Sequence, residues 1–264
     1  MPVPISVFII TKNEEARLGR TLAAVAWAEQ IIVVDSGSTD RTLEIAAAAG
    51  AEIHHRDWQG YGQQKSFAES LCRHDWVLNL DADEVVTSEL AEEIRAFLAR
   101  DPAPSACRIR ILNVYPGSER PRFLANDYNE IRLYHHAIAR YRAHPLFDRV
   151  ETDAEPLQLR APIHHFPVVS WGQLVAKLNA YSDFSAASAA PRARRKLLLR
   201  LPFEMPFAFF RFYVLRRHFT GGWQGFAFAL ISAFGRTLRI IKLLQRAEEA
   251  ERQNRSENGG AGGV

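Results

Sequence analysis

Short apolar runs alternate with amphipathic stretches through residues 1–100. Runs rich in β-branched and other apolar residues predict buried strands at 5–10, 31–34 and 76–80, and a further strand is predicted at 51–55. Apolar residues at helical spacing between them predict three helices, at 15–25, 41–49 and 63–71. Strands that are apolar on both faces are typical of a parallel sheet covered by helices. The pattern therefore predicts an α/β fold with a mostly parallel central sheet.

The pattern changes in the rest of the chain. Prolines are frequent in 101–165, and a helix is predicted after them at 171–187. Residues 191–247 mix apolar and basic residues at helical spacing, whereas 248–264 is polar and rich in glycine, a composition typical of disorder. We therefore expect an α/β domain over 1–190, followed by a basic amphipathic helical region and a disordered tail.

Polar clusters follow three of the predicted strands, at 11–14, 35–40 and 81–84. The carboxyl ends of parallel strands meet at one edge of the sheet, so the topology brings these clusters together. Ligands of parallel α/β sheets bind at this edge. Asp81 and Asp83 are two residues apart, and alternate residues of an extended segment point the same way. Their carboxylates suit Mg²⁺ or Mn²⁺ carrying a diphosphate, although a strand-end turn with solvated acids has the same spacing.

Asp35 ends the second predicted strand and has two interpretations. Its carboxylate is placed to accept hydrogen bonds from a base or a ribose, and it is also a suitable cap for the following helix. Because Asp40 fits the cap better, Asp35 is assigned to the ligand.

Charge is unevenly distributed along the chain. Residues 192–246 hold twelve basic residues and one acid, although the whole chain carries a net charge of only +3. A basic amphipathic segment with many aromatic residues favours an anionic membrane surface as partner, and a packed helical appendage or a dimer contact are the alternatives. No recognition motif supports nucleic-acid binding. The two cysteines form neither a disulfide framework nor a metal cluster, which favours a reducing compartment.

Three segments, taken together, resemble family-2 glycosyltransferases with the GT-A fold. They are ISVFIITKNEE at 5–15, IIVVDSGSTD at 31–40 and WVLNLDADE at 76–84. The GYGQQK segment at 60–65 and KLNAYS at 177–182 are similar to a branch of lipopolysaccharide-core glucosyltransferases that modify inner-core heptose. The resemblance covers roughly residues 1–245 and implies a GT-A fold with a helical appendage.

The resemblance implies roles for particular residues. It assigns the donor nucleotide to Thr11, Asn13, Glu14, Asp35, Lys65 and Asp81. It assigns the divalent metal to Asp83 and His165. Alternatives remain for two of these: an ordinary exposed helix lysine for Lys65 and a packed strand histidine for His165.

The catalytic base is also inferred from the resemblance. The family carries a His-Glu pair after the sheet, and its glutamate acts as the base, whereas this chain has AHPLFDRVE at 143–151. Asp148 is the best positional match, with Phe147 in place of the histidine, and Glu151 is the second candidate. Arg132 either faces the acceptor or forms an ordinary salt bridge.

The sequence thus predicts metal-dependent, inverting transfer of a hexose from a UDP-sugar to a lipid-linked saccharide. By resemblance the sugar is glucose and the acceptor is the lipopolysaccharide inner core. We expect the protein to be cytoplasmic and peripheral on the inner face of the bacterial cytoplasmic membrane. The alternatives are transfer to polyprenyl phosphate and a non-catalytic protein that binds nucleotides or glycans.

Overall fold

The computed structural model describes residues 3–125, 127–142, 148–190 and 193–260. The chain divides into two compact units. The sheet unit consists of Met1–Val114, Glu119–Pro121 and Asn126–Val169. The helical unit consists of Tyr115–Ser118, Arg122–Ala125 and Ser170–Val264.

The described residues contain eleven strands and seven α-helices. The strands are β1 Val3–Thr11, β2 Ala28–Asp35, β3 Glu52–His55, β4 Trp76–Asp81, β5 Glu84–Val86, β6 Ala106–Asn113, β7 Asp127–His135, β8 Ala139–Tyr141, β9 Val150–Thr152, β10 Leu157–Gln158 and β11 Ile163–His165. The helices are α1 Leu18–Ala24, α2 Thr42–Ala48, α3 Tyr61–Ser70, α4 Ser88–Leu98, α5 Trp171–Ala187, α6 Arg194–Phe210 and α7 Gly222–Gly260. A π-helical turn, Arg211–Leu215, and a 3₁₀ turn, His218–Gly221, connect α6 to α7.

The first four strands form the predicted parallel half of the sheet, in the order β3-β2-β1-β4. Every residue from Ile5 to Thr11 is buried, which explains why β1 is a continuous apolar run. The register pairs Thr11 with Asp35 on β2, and Ile10 with Asp81 on β4. The predicted polar clusters therefore do lie at one edge of the sheet.

The other half of the sheet is mixed. β7 runs antiparallel to both β4 and β6, and β11 then pairs with β6 in parallel and with β5 in antiparallel orientation. The pairing of β11 with β5 places His165 opposite Glu84. Strands of three residues, such as β5 and β11, are too short to show a hydrophobic period, so the sequence pattern does not predict them.

In the helical unit, α7 packs against both α5 and α6. Its small core is formed by Ala186, Leu197, Ile240, Leu243 and Leu244. The unit includes α5 as well as α6 and α7, because α5 packs on α7. None of the helices, as far as the structure describes them, is long and apolar enough to cross a membrane.

The end of the chain is helical as far as the structure describes it. The helix α7 continues to Gly260, and residues 261–264 lie outside the described range. Residues 246–255 are mostly Arg, Ala, Glu and Gln, which favour helix, whereas the glycines begin at 259.

Candidate functional site

The loops that follow β1 and β2 are bound to each other by Asn13. Its backbone N–H donates to Ser38 Oγ at 2.8 Å, and its Oδ1 accepts from the backbone N–H of Thr39 at 2.8 Å. Asn13 has a φ of +56°, a left-handed conformation that asparagine adopts more readily than most residues. This predicted donor-binding residue therefore also shapes the edge of the sheet.

Asp35 is buried and organises the loop after β2. Its Oδ2 accepts from the backbone N–H groups of Gly37 and Ser38, both at 2.8 Å, and its Oδ1 accepts from Ser38 Oγ at 2.5 Å. Gly37 has a φ of +88°, which this tight loop requires. Asp40 Oδ1 accepts from the backbone N–H of Thr42, the first residue of α2, at 3.0 Å, although the N-cap position itself is held by Arg41.

Thr11 and Glu14 complete the β1 side of this edge. Thr11 is 5% exposed, and its Oγ1 has no hydrogen-bond partner among the described residues. The carboxylate of Glu14 accepts from Arg17 Nε at 2.7 Å and from Nη2 at 2.6 Å. Burial raises the pKa of Glu14, although the charge of Arg17 acts in the opposite direction.

A buried lysine joins two of the predicted carboxylates. Lys65 is 1% exposed, and its Nζ lies 2.8 Å from Asp81 Oδ1 and 3.0 Å from Asp148 Oδ2. Burial alone would lower the pKa of Lys65, but the negative charges beside it, Asp81 first, raise it above its ordinary value. The alternative of an exposed helix lysine is therefore wrong, and Lys65 bridges a predicted donor residue and a predicted base.

Arg132 reaches the same group of charges from β7. Its Nη2 lies 2.6 Å from Glu84 Oε1 and 3.2 Å from Asp81 Oδ2, and its Nη1 donates to Asn79 Oδ1 at 2.7 Å. Arg132 is buried and forms salt bridges with Asp81 and Glu84, which is one of the two interpretations that the sequence allows. Burial would raise the pKa of Asp81, but Lys65 and Arg132 outweigh it and hold that pKa well below its usual range.

The pattern of the sequence does not reveal the roles of Glu84 and Tyr141. Glu84 is 2% exposed, and burial raises its pKa to about 7 against the opposing charge of Arg132. Tyr141 donates from its hydroxyl to Asn79 Oδ1 at 2.8 Å. Glu84 is distant in sequence from its partner Arg132, and Tyr141 is distant from its partner Asn79. Tyr141 also lies on a three-residue strand, so only the fold brings these residues to the site.

Asp83 and His165 are in contact beside this network. Asp83 Oδ2 lies 3.2 Å from His165 Nε2 and 3.3 Å from Arg17 Nη1. The other ring nitrogen of His165, Nδ1, lies 2.8 Å from Asn113 Oδ1. Burial would lower the pKa of His165, but the hydrogen bond and charge of Asp83 raise it.

The Asp83–His165 pair fits a divalent metal that arrives with a nucleotide. No three His, Cys, Asp or Glu side chains within the described part of the chain are placed to hold a metal ion by themselves. Mg²⁺ and related ions commonly take one or two protein ligands and complete their coordination with substrate phosphates and water. An Nδ1–H donated to Asn113 would leave His165 Nε2 as a nitrogen ligand next to the Asp83 oxygens.

The two candidate bases lie in different surroundings. Asp148, with Lys65, Asp81 and His165, lines a pocket of about 210 Å³. Glu151 lies on β9, where it pairs with Arg142 at 3.3 Å on the surface and does not line that pocket. Residues 143–147, including Phe147, lie outside the described residues. The geometry favours Asp148 over Glu151.

A family model for glycosyl transferase family 2 matches residues 6–154. An uncharacterized glycosyltransferase of Rickettsia bellii is 37% identical, over 96% of this chain and 90% of that protein. The lipopolysaccharide core biosynthesis glycosyltransferase LpsC of Rhizobium meliloti is 29% identical, over 96% of each chain.

Solved structures that resemble the chain are more distant. The structure of S. aureus TarS 1–349 matches with a TM-score of 0.47 and 15% identity, over 96% of this chain and 92% of that chain. The α/β sheet with a C-terminal helical region confirms the predicted fold class. Because the family model covers more than half of the chain and a relative is 37% identical over nearly all of it, the chain belongs to glycosyl transferase family 2 and is a glycosyltransferase.

Proposed function

We propose that this glycosyltransferase moves a hexose, glucose in our proposal, from a UDP-sugar to a lipid-linked saccharide with inversion at the anomeric carbon. The observation that carries the proposal is the position of Lys65. Its ammonium lies between Asp81, at the end of β4, and Asp148, in the pocket lined by β7 and β9 residues. The buried ammonium of Lys65 thus contacts both a proposed donor-binding residue and the proposed base.

The donor side of the pocket is suited to a nucleoside diphosphate. Asp83 and His165 would hold Mg²⁺ or Mn²⁺, which when bound neutralises negative charge on the departing diphosphate. The ammonium of Lys65 adds a fixed positive charge for the phosphates. Thr11, Asn13, Glu14 and Asp35 lie at the β1 and β2 ends of the same sheet edge, where the nucleoside would lie.

Asp148 is the proposed base. Its carboxylate takes the proton of the acceptor hydroxyl while the hydroxyl oxygen bonds to the anomeric carbon and the bond from that carbon to UDP breaks. Attack from the face opposite the leaving group inverts the configuration, as in the single-displacement logic of inverting glycosidases. Lys65 fixes the orientation of this carboxylate by its contact at 3.0 Å.

The acceptor assignment is supported by a relative. LpsC is named as a lipopolysaccharide core biosynthesis glycosyltransferase, and its similarity to this chain covers 96% of each chain. We therefore favour a lipopolysaccharide core sugar over polyprenyl phosphate. Because the chain is a glycosyltransferase, the alternative of a non-catalytic binding protein is set aside.

A stripe of exposed apolar residues on α6 supports association with a membrane. The stripe residues and their exposed fractions are Leu199 74%, Phe203 69%, Phe207 64% and Phe210 50%. Spacings of three and four place them on one face of the helix, and soluble monomers rarely expose such an apolar stripe. With the net positive charge of 192–246, the stripe suits the anionic inner face of the cytoplasmic membrane, where a lipid-linked acceptor would lie.

The first test is calorimetric titration with a panel of nucleotide sugars, with and without Mn²⁺, followed by transfer assays on the isolated acceptors. We expect Mn²⁺-dependent binding of UDP-glucose and transfer to a lipopolysaccharide core acceptor. Binding of another nucleotide sugar alone would contradict the donor assignment, and transfer only to polyprenyl phosphate would contradict the acceptor assignment.

A further inference from the structure

Two exposed aromatic rings stand at the start of α3. Trp58 is 48% exposed and Tyr61 is 56% exposed, and their ring centroids lie 4.7 Å apart at an interplanar angle of 89°. Neither residue belongs to the hydrophobic clusters that form the core of the sheet unit. Tryptophan is usually buried over most of its surface, so an edge-to-face pair open to solvent needs a reason other than packing.

The loop that carries this pair is fastened beside Asp35. The backbone N–H of Arg56 donates to Asp35 O at 2.9 Å, which extends the β2–β3 pairing beyond the strands. Gln64 Nε2 donates to Ser36 Oγ at 2.8 Å and holds the first turn of α3 against the loop after β2. The aromatic pair therefore lies at the same sheet edge as the proposed donor residues.

Tyr61 is also linked to the pocket by helical geometry. It precedes Lys65 by four residues on α3, so the two side chains share one face of the helix. Lys65 is buried against Asp81, whereas Tyr61, one turn nearer the start of the helix, is exposed. The ring is thus about one helical turn from the lysine that contacts Asp81.

The strand order separates the nucleoside from the acceptor. The edge runs β3-β2-β1-β4-β7, with Asp81 ending β4 and with Asp148 in a pocket lined by β7 and β9 residues. A nucleotide whose diphosphate lies at Asp81 has its nucleoside on the β1, β2 and β3 side. The loops after β1 and β2, at 12–17 and 36–41, contain no aromatic residue, whereas the loop after β3 leads into Trp58 and Tyr61.

We propose that the base of the donor nucleotide stacks on the Trp58–Tyr61 pair. The inference rests on the proposed UDP donor and names the residues that would bind its uracil. Stacking of a base on an aromatic side chain is tolerant of geometry and uses the flat apolar face that this pair leaves exposed. Loss of one ring is expected to weaken nucleotide binding roughly 5- to 150-fold.

The test is calorimetric titration of the whole chain with UDP in the presence of Mn²⁺. We expect Trp58→Ala and Tyr61→Ala to raise the Kd for UDP by that factor, and Trp58→Phe and Tyr61→Phe to stay within about threefold of wild type because a ring is kept. Pyrophosphate with Mn²⁺ has no base, so its Kd should be the same in all five proteins. Leu157→Ala is the matched control, since Leu157 is exposed to the same 48% and lies on β10.

The possible results separate the two proposals. If wild type binds UDP and the alanine variants bind it equally well, the stacking proposal is overturned and the proposed donor stands. If the alanine variants lose pyrophosphate as strongly as UDP, or raise only the KM for the acceptor, stacking of the base is likewise overturned. If wild type itself binds no UDP, the proposed donor fails and the stacking proposal fails with it.

Discussion

At the scale of single residues, five ionisable side chains form one network of contacts in the pocket. Two are cations, Lys65 and Arg132, and three are acids, Asp81, Glu84 and Asp148. Removing Arg132 leaves the buried carboxylate of Glu84 without its cation, which is costly in free energy. Substitutions in this network can test the chemical role of one residue and the contribution of another to stability.

Replacement of the proposed base should affect turnover rather than donor binding. We expect Asp148→Asn to lower kcat roughly 10²- to 10⁴-fold, because no other group in its place accepts the acceptor proton, while the Kd for the UDP-sugar changes little. Glu151→Gln should keep near-wild-type kcat, since Glu151 pairs with Arg142 on the surface. Steady-state kinetics with calorimetry would measure both, and the reverse pattern would make Glu151 the base.

Replacement of Arg132 should destabilise the sheet unit. Arg132→Met leaves Glu84 and Asp81 without their shared cation, and we expect a loss of ~3–5 kcal/mol in the free energy of unfolding. The control is Arg142→Met, which breaks an exposed pair worth ~1 kcal/mol or less. Urea denaturation would compare them, and equal losses would show that the buried pairs contribute nothing special.

Some of these residues were predictable and others were not. Asp81, Asp83 and Lys65 stand in recognisable motifs, and their places at the end of β4 and on α3 follow from the alternation of strands and helices. The partners Glu84 and Arg132 depend on how β7 pairs with β4, a contact between residues about fifty positions apart. Sequence spacing contains no information about such a contact, so the sequence alone is compatible with both interpretations of Arg132.

At the scale of secondary structure, the turn between α6 and α7 is held by a buried histidine. Tyr115 Oη lies 2.6 Å from His218 Nδ1, and the His218 ring stacks on Phe228 at 4.7 Å. Burial, together with the nearby charges of Arg122 and Arg216, lowers the pKa of His218 to about 4. The neutral imidazole is therefore the form that the folded turn accepts.

This histidine makes the stability of the helical unit depend on pH. The folded pKa lies below the unfolded value of about 6.5, so the stabilisation is complete above pH 6.5 and is lost as pH falls towards 4. We expect the free energy of unfolding to fall by on the order of 3 kcal/mol over that window because of His218 alone. Urea unfolding of wild type and His218→Phe at several pH values would check this, and equal slopes would contradict it.

The elements themselves were predicted unevenly. The strands β1 to β4 and the helix α5 follow from hydrophobic period, and the structure has α5 at the predicted residues Trp171–Ala187. The short strands β5, β8, β9 and β11 depend on partners rather than on their own sequences. A strand of three residues gains its hydrogen bonds from its neighbours, and its own pattern is too brief to detect.

At the scale of the whole molecule, charge and exposed apolar area occur together in the C-terminal third. We expect the double variant Phe203→Glu, Phe207→Glu to reduce binding to vesicles of mixed anionic and zwitterionic lipid at least tenfold, because both rings leave the apolar stripe and two negative charges enter it. The matched control is Leu157→Glu in the sheet unit, where an exposed apolar residue lies on β10. Sedimentation with vesicles would measure the effect at low and high salt.

The outcome of that experiment decides whether the α6 stripe contributes to membrane binding. Binding of wild type that falls with salt and is lost in the double variant would support the membrane proposal. Binding that is unchanged in the double variant, or that falls equally in the control, would contradict a role for the α6 stripe.

The helical unit is not continuous in the sequence. Besides Ser170–Val264 it includes Tyr115–Ser118 and Arg122–Ala125, two short stretches drawn from the middle of the chain. A chimera made by one crossover near residue 170 would therefore combine the helices of one parent with the 115–125 stretches of the other. Recombination between relatives should tolerate exchange of this unit only when those stretches are exchanged together with it. The two units are therefore expected to be inherited as one gene segment.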